Sequence, residues 1–407
     1  MKKAIATVGA VIGIVLLMWL GYGLFVYSRN SSPQFSLPPP LTPPPNNVYS
    51  ELIACIYNIR EPGKLAALAQ QTDYGTLAEK QAVVEANREV FRKVREVLNK
   101  PAQVERLAYQ TGDPTVEAYR QFARLYIVQA TLLAQQGKTA QALDAYLDAF
   151  AFLEKILNGG NVLHLTFHFM ATSDLFQAIP ALIPRLNAQD AERGARRLEQ
   201  LLANEYSLEK LLEQEFRVWL TGWQRTVRGQ SLRGFRLDLP KSDLEREMLY
   251  LPKAPLSQAA QQYVQQWLQQ VKLPYSQQQF VPYPPALQQL GRELVVREPE
   301  GIALAIARYT YTRARLRLLY TTLRLEAYRK SRGRYPASLK ELGDSPYFTD
   351  PFSNQPFVYR PQGDRYMLYS VGPNGKDDGG QPFHEGRLRR DQPGDMGLMP
   401  YLPQRPS

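Results

Sequence analysis

The chain runs to 407 residues and carries 49 Lys and Arg against 38 Asp and Glu, a formal net charge of +11. That length exceeds one ordinary hydrophobic core and suits two. The single cysteine, Cys55, excludes an intrachain disulfide and a cysteine-rich metal site, and with only three histidines the chain holds few bases for nucleophilic catalysis.

Residues 4–27 carry no charge and are almost all apolar. As a helix they reach about 36 Å, enough to cross a hydrocarbon core of about 30 Å. Lys2 and Lys3 precede the run and only Arg29 follows closely, which places the N-terminus inside and the body outside. Trp19, Tyr22, Phe25 and Tyr27 crowd the outer end, where amphipathic rings favour the interface. A cleaved signal peptide would have a shorter apolar core closed by small residues of the Ala-x-Ala type, and that pattern is absent. The expectation is an uncleaved transmembrane anchor over residues 1–28 in a bacterial inner (cytoplasmic) membrane, carrying an extracytoplasmic, periplasmic body. There the positive charge points to anionic headgroups, acidic wall polymers or an acidic protein, not to nucleic acid.

Residues 29–47 form a proline-rich linker. Proline runs favour extended polyproline II, so the segment reads as a semi-rigid stalk able to hold the body up to about 50 Å from the membrane.

Residues 48–299 read as a helical domain. Cys55 lies in an apolar context and is expected to be a buried thiol. Over 76–99, Leu77, Val83, Val84, Val90, Phe91, Val94, Val97 and Leu98 recur at helical spacing, and Pro101 stops the helix. Asp113-Pro114 starts another, Gly137-Lys138 breaks it, and 139–157 continues as a third. Further amphipathic stretches cover 162–186, 188–203, 205–228 and 243–271. The segment 119–149, with Tyr126, Ala130 and Leu133 before Gly137 and Ala142, Tyr146 and Ala149 after it, resembles one tetratricopeptide repeat. That resemblance implies a TPR-like antiparallel helix pair; without a second matching unit it implies no peptide-binding array. His164 and His168 would share a helix face, but with Leu165, Phe167 and Phe169 around them they read as core rather than zinc ligands. The Pro/Tyr/Gln-rich stretch 272–286 reads as an ordered arm whose Tyr275, Phe280 and Tyr283 offer an aromatic docking patch.

Residues 300–381 combine a long helix with a different kind of module. Nine Arg or Lys and one acid, Glu326, fall between 308 and 334, and are expected to form a solvated helix face whose stems cover apolar surface. Then follow Gly333-Arg-Tyr-Pro, a short Leu339-Lys-Glu-Leu helix capped by Ser338, and Asp350-Pro-Phe-Ser-Asn-Gln-Pro. Phe357-Val-Tyr-Arg-Pro and Tyr366-Met-Leu-Tyr-Ser-Val flank a Pro361-Gln-Gly-Asp364 turn, a β-hairpin signal. A glycine- and aspartate-rich loop, Gly372-Pro-Asn-Gly-Lys-Asp-Asp-Gly-Gly, comes next, and 382–407 is expected to be an irregular tail.

In the order and spacing of these motifs, residues 320–380 resemble the C-terminal half of the major pseudopilin of type II secretion systems. The whole chain resembles a group of bacterial membrane-anchored helical proteins ending in such a module, which supplies an architecture but no activity. The resemblance implies a small antiparallel sheet packed on the end of the long helix, and a calcium-binding loop after the last matched strand. In that loop and beyond, Asn374, Asp377, Asp378, Asp391 and Asp395 are the candidate ligands. Calcium takes six to eight oxygens and glycines let a chain wrap it, although the pattern is not an EF-hand. The leader departs from a pseudopilin, since Met1-Lys-Lys-Ala-Ile-Ala-Thr-Val lacks the processing site and the glutamate of the fibre-forming helix.

The expected fold is therefore mainly α: a transmembrane helix, an extracytoplasmic helical domain and a small C-terminal α+β module. The expected role is non-enzymatic: an interaction or scaffold protein with a protein partner in the envelope, linked to a type II secretion or pilus-like system. No small-molecule substrate is evident. The alternatives are an extracytoplasmic hydrolase of cell-wall or polysaccharide material and a divergent pseudopilin.

Overall fold

The computed structural model describes residues 2–30, 36–70, 75–105, 116–231, 253–288, 298–383 and 388–398. The chain is mainly helical and divides into two compact units, each assembled from separate stretches of sequence. The helix start expected at Asp113-Pro114 lies outside the described residues.

Unit 1 comprises Met1–Pro40, Glu213–Gln270 and Gln279–Ile302. Its first helix, α1 (Lys2–Asn30), contains the stretch Thr7–Asn30, which is long and apolar enough to cross a membrane. Val8, Val11, Ile12, Leu16, Leu17 and Met18 are exposed, whereas Gly23, Val26 and Asn30, spaced by three and four, are buried. The helix α11 (Lys253–Gln270) lies against α1. It buries Leu256, Tyr263, Val264 and Trp267, with Trp267 edge-on to Phe280 at 6.1 Å and Tyr263 edge-on to Tyr283 at 5.6 Å. From α10 (Leu208–Ser231), Trp223 Nε1 donates to Ser257 Oγ at 3.0 Å, and Arg217 Nη1 donates to the Pro38 carbonyl at 2.6 Å. Pro38 of the proline segment is thus tied to the unit that holds α1.

Unit 2 comprises Leu41–Leu212, Val271–Gln278 and Ala303–Ser407. Its helices are α2 (Tyr49–Tyr57), α3 (Pro62–Gln70), α4 (Leu77–Ala86), α5 (Arg88–Val97), α6 (Val116–Gln135), α7 (Thr139–Leu157), α8 (Val162–Ala178) and α9 (Ala188–Ala203). They are joined by α13 (Pro299–Arg332) from Ala303 onward, after the short α12 (Pro285–Gln288) of unit 1. The core forms where α6 and α7, joined by a tight turn at Gly137, pack on α8, with Phe122 stacked on Phe152 at 3.8 Å. Gly194 of α9 lets that helix approach closely: a Cβ there would meet a Leu143 side-chain carbon at 2.5 Å. Cys55 is buried beside Leu52 and Ile56 of α2, and desolvation pushes its thiol up to about 11.

Several expectations change. The stretch 76–99 is two helices, broken at Asn87, whose buried side chain is tied to the loop before α3. Its Oδ1 accepts from Arg60 N at 2.7 Å, and its Nδ2 donates to Arg60 O at 3.1 Å and Val83 O at 2.9 Å. A side chain that satisfies foreign backbone competes with helix continuation.

The basic helix is not a solvated face. Arg313 and Arg315 of α13 are buried, Arg308, Arg317 and Arg324 are half-buried, and apolar residues such as Leu316, Leu319 and Leu323 are buried between them. The guanidinium groups lie over aromatic rings: Arg308 over Phe169, Arg313 over Tyr309, Arg315 over Phe176, Arg317 over Tyr347 and Arg324 over Tyr320. Such contacts contribute about 0.5–2 kcal/mol each, more as water is excluded.

The C-terminal module carries the antiparallel hairpin β1 (Val358–Gln362) and β2 (Arg365–Ser370), with Gly363 at φ +61 in the turn. A third strand, β3 (Met396–Gly397), pairs with β2 and comes from the tail expected to be irregular. Leu339–Leu342 is a 3-10 turn without a side-chain cap from Ser338; Glu341 instead accepts from Ala337 N at 2.6 Å.

Replacing Asn87 with Ala leaves the Arg60 backbone groups without their partner, and is expected to cost about 2 kcal/mol of stability in urea unfolding.

Candidate functional site

The loop that follows β2 folds back on the tail. Gly372 makes this possible: at φ +69, a Cβ on it would meet the Gly394 carbonyl oxygen at 2.6 Å, so the two backbones touch. Across this contact two carboxylates make reciprocal ties. Asp395 accepts from Asp378 N at 3.2 Å and Gly380 N at 2.6 Å, while Asp378 Oδ2 accepts from Gly394 N at 2.6 Å and Asn374 Nδ2 at 2.9 Å. Burial, with the charges of Asp377 and Asp378 nearby, pushes the Asp395 carboxyl up to about 6 against the pull of its amide donors.

The five candidate calcium ligands do not form one set. Asn374, Asp378 and Asp395 converge. Asp377 turns to the sheet, where it accepts from the Tyr369 hydroxyl at 2.8 Å and pairs with Arg360 at 2.9 Å. Burial would raise the Asp377 carboxyl, but those donors and Gly379 N hold it below its usual range. Asp391 is exposed and pairs with Arg389 at 3.3 Å. Among the described residues, no group of three or more His, Cys, Asp or Glu has metal-holding geometry. The convergent oxygens are hard donors of the calcium type, and backbone carbonyls would have to complete the shell. Upstream, Asp350 fastens the module: its buried carboxylate accepts from Phe352 N, Ser370 Oγ and Val371 N, each at 2.9 Å.

The second cluster lies in the core of unit 2. Arg313 Nη2 of α13 donates to both Glu154 oxygens of α7, at 2.6 and 2.8 Å. His168 Nε2 of α8 is 2.9 Å from Glu154 Oε1, and Arg313 Nη1 reaches Glu205 Oε2 at 3.5 Å. Tyr309, beneath the guanidinium, donates to Tyr206 O at 2.7 Å. Burial would raise the Glu154 carboxyl, but the Arg313 charge and the bonds to His168 and Arg313 outweigh it and bring it down to about 2.

Neither histidine forms part of a metal pair. His164 closes the α8 N-terminus, its Nδ1 2.9 Å from Asn161 Oδ1, and burial lowers it to about 4. His164 and His168 are each 1 % exposed, which keeps both rings from an external substrate. The aromatic docking patch also comes apart. Tyr275 is buried in unit 2 against Phe352 and under Arg390, Tyr283 is half-buried in unit 1, and only Phe280 is exposed.

No family model, curated protein or solved structure matches this chain. The buried Glu154–Arg313 pair escaped the sequence reading because Arg313 is one of many arginines. Its one visible signal was an acid inside the apolar run Phe150-Ala-Phe-Leu-Glu154.

Glu154→Gln strands a buried guanidinium and is expected to cost about 3–5 kcal/mol at pH 7. On acidification His164 and then Glu154 should withdraw stability, while Asp395, raised to about 6, returns stability as pH falls through 6 and offsets the first of these. The folded pKa of His164, about 4 against an ordinary 6.5, withdraws stability as pH falls from 6.5 through 4. That of Glu154, about 2 against 4.5, withdraws more as pH falls from 4.5 through 2. Urea midpoints against pH should show the lower stage missing in Glu154→Gln.

Proposed function

We propose that the chain is a membrane-anchored, extracytoplasmic scaffold of a bacterial inner membrane, acting by holding a protein partner rather than by chemistry. The observation that carries this reading is α1: its apolar residues from Thr7 to Met18 are bare almost all round, and Lys2 and Lys3 precede them. A helix apolar on every side and uncovered by protein calls for lipid. Positive residues before the span and a single Arg29 close after it support the N-terminus inside and both units outside.

A place beside a type II secretion or pilus-like system is supported by the module alone. Its Gly333-Arg-Tyr-Pro turn, Asp350-Pro-Phe loop and hairpin follow one another as in the pseudopilin C-terminal half. The edge strand β1 contains Pro361, which offers no N–H to a further strand. Partner binding by sheet extension along β1 is therefore disfavoured, and the partner is expected to meet side chains.

Alkaline carbonate should leave the full-length protein in the membrane pellet, and a C-terminal periplasmic reporter should be active while a cytoplasmic one is silent. The reverse reporter pattern would overturn the reading.

Calcium is the second proposal, favoured by one feature: Asp378 and Asp395 are tied across a single backbone contact, with Asp377 close enough to add to the repulsion. Asn374, Asp378 and Asp395 would hold the ion, which would neutralise the crowded carboxylates and lock tail to loop. A millimolar calcium addition is expected to raise the thermal midpoint, and Asp395→Asn to abolish the rise. An unchanged midpoint in the parent protein sinks the site.

A further inference from the structure

The stripe of α1 that protein covers begins before the bilayer should end. Trp19 and Tyr22 are half-buried, Gly23, Val26 and Asn30 are buried, and α11 of the same unit lies against this helix. Between Thr7 and Met18 every residue is exposed except the half-buried Gly13. A hydrocarbon core takes roughly 20 helical residues, so a span entered at Ala4 leaves near Leu24. The covered stretch straddles that level.

We propose that unit 1 is a juxtamembrane domain seated directly on the lipid headgroup layer, with the outer turns of α1 serving as one of its own helices. The proposal rests on the reading of α1 as a retained anchor. The partner surface is the phospholipid headgroup layer through which α1 leaves the membrane.

Three further observations carry it. Val26 is 0 % exposed and Asn30 1 % exposed, with Asn30 Nδ2 donating to Val26 O at 2.8 Å, so the end of the helix is a packed core element and not a tether. Cleavage before residue 30 would take that element out of unit 1. The proline segment, able to span about 50 Å if extended, does not intervene, because Arg217 binds the Pro38 carbonyl within the same unit. The aromatic rings Trp19, Tyr22, Phe25 and Tyr27 ring the helix at this level, where indole and phenol groups favour the boundary between hydrocarbon and water.

The test uses the full chain in phosphatidylethanolamine/phosphatidylglycerol liposomes. Cys55, buried, is replaced by Ala, and a fluorophore is attached at Gln262→Cys or Gln265→Cys, both exposed on α11. Lipids bearing a nitroxide on the headgroup are expected to quench both labels, and Val26→Asp, which breaks the α1 packing, is expected to relieve the quenching while the protein still floats with the liposomes. Liposome-bound protein whose labels are not quenched would show unit 1 standing off the bilayer and would overturn this proposal, leaving the anchor intact. Protein that stays in the supernatant, with a mass lacking α1, would overturn the anchor and this proposal together.

Discussion

Unit 2 is organised around an ion pair taken out of water. Arg313 lies in the middle of a long helix with its guanidinium shielded from solvent, and Glu154 on α7 is the group that makes this tolerable. Stripping water from either ion alone costs several kcal/mol, so the pair is acceptable only when formed completely. That condition fixes the register of α13 against α7, and His168 extends it to α8. Purely apolar helices could slide by a turn and still bury comparable area. This pair makes one arrangement distinct from its neighbours.

The same helix explains why a basic run was easy to misread. Charge counts suggest solvent, but arginine is planar, weakly hydrated and able to stack. Along α13 the guanidiniums of Arg308, Arg313, Arg315, Arg317, Arg324 and Arg329 each find a ring, often on the same helix four residues away, as Arg313 does over Tyr309 and Arg324 over Tyr320. Hydrophobic periodicity made the α6–α7 turn, α9 and the hairpin legible, because there side-chain pattern and local turn chemistry agree. It failed at Asn87, where the deciding bonds go to Arg60, distant in sequence. It failed again at β3, whose strand of two residues is too short to leave any pattern.

The candidate loop was partly legible. Glycine and aspartate spacing correctly marked a tight loop, and the contact between Gly372 and Gly394 shows why glycine is needed at that spot. What composition could not separate was acids that face inward from acids already neutralised. Arg360 and Arg389, each supplied from outside the run of loop acids, decide the matter for Asp377 and Asp391.

The interleaved division of the chain bears on how it is made. Residues 1–40 must find partners in 213–270, and α7 must find Arg313, well over a hundred residues later. A nascent polypeptide therefore cannot complete either core while synthesis is half done, and unit 2 has to wait, with apolar faces open, for α13 to be made. Such delayed closure lengthens the window for off-pathway association.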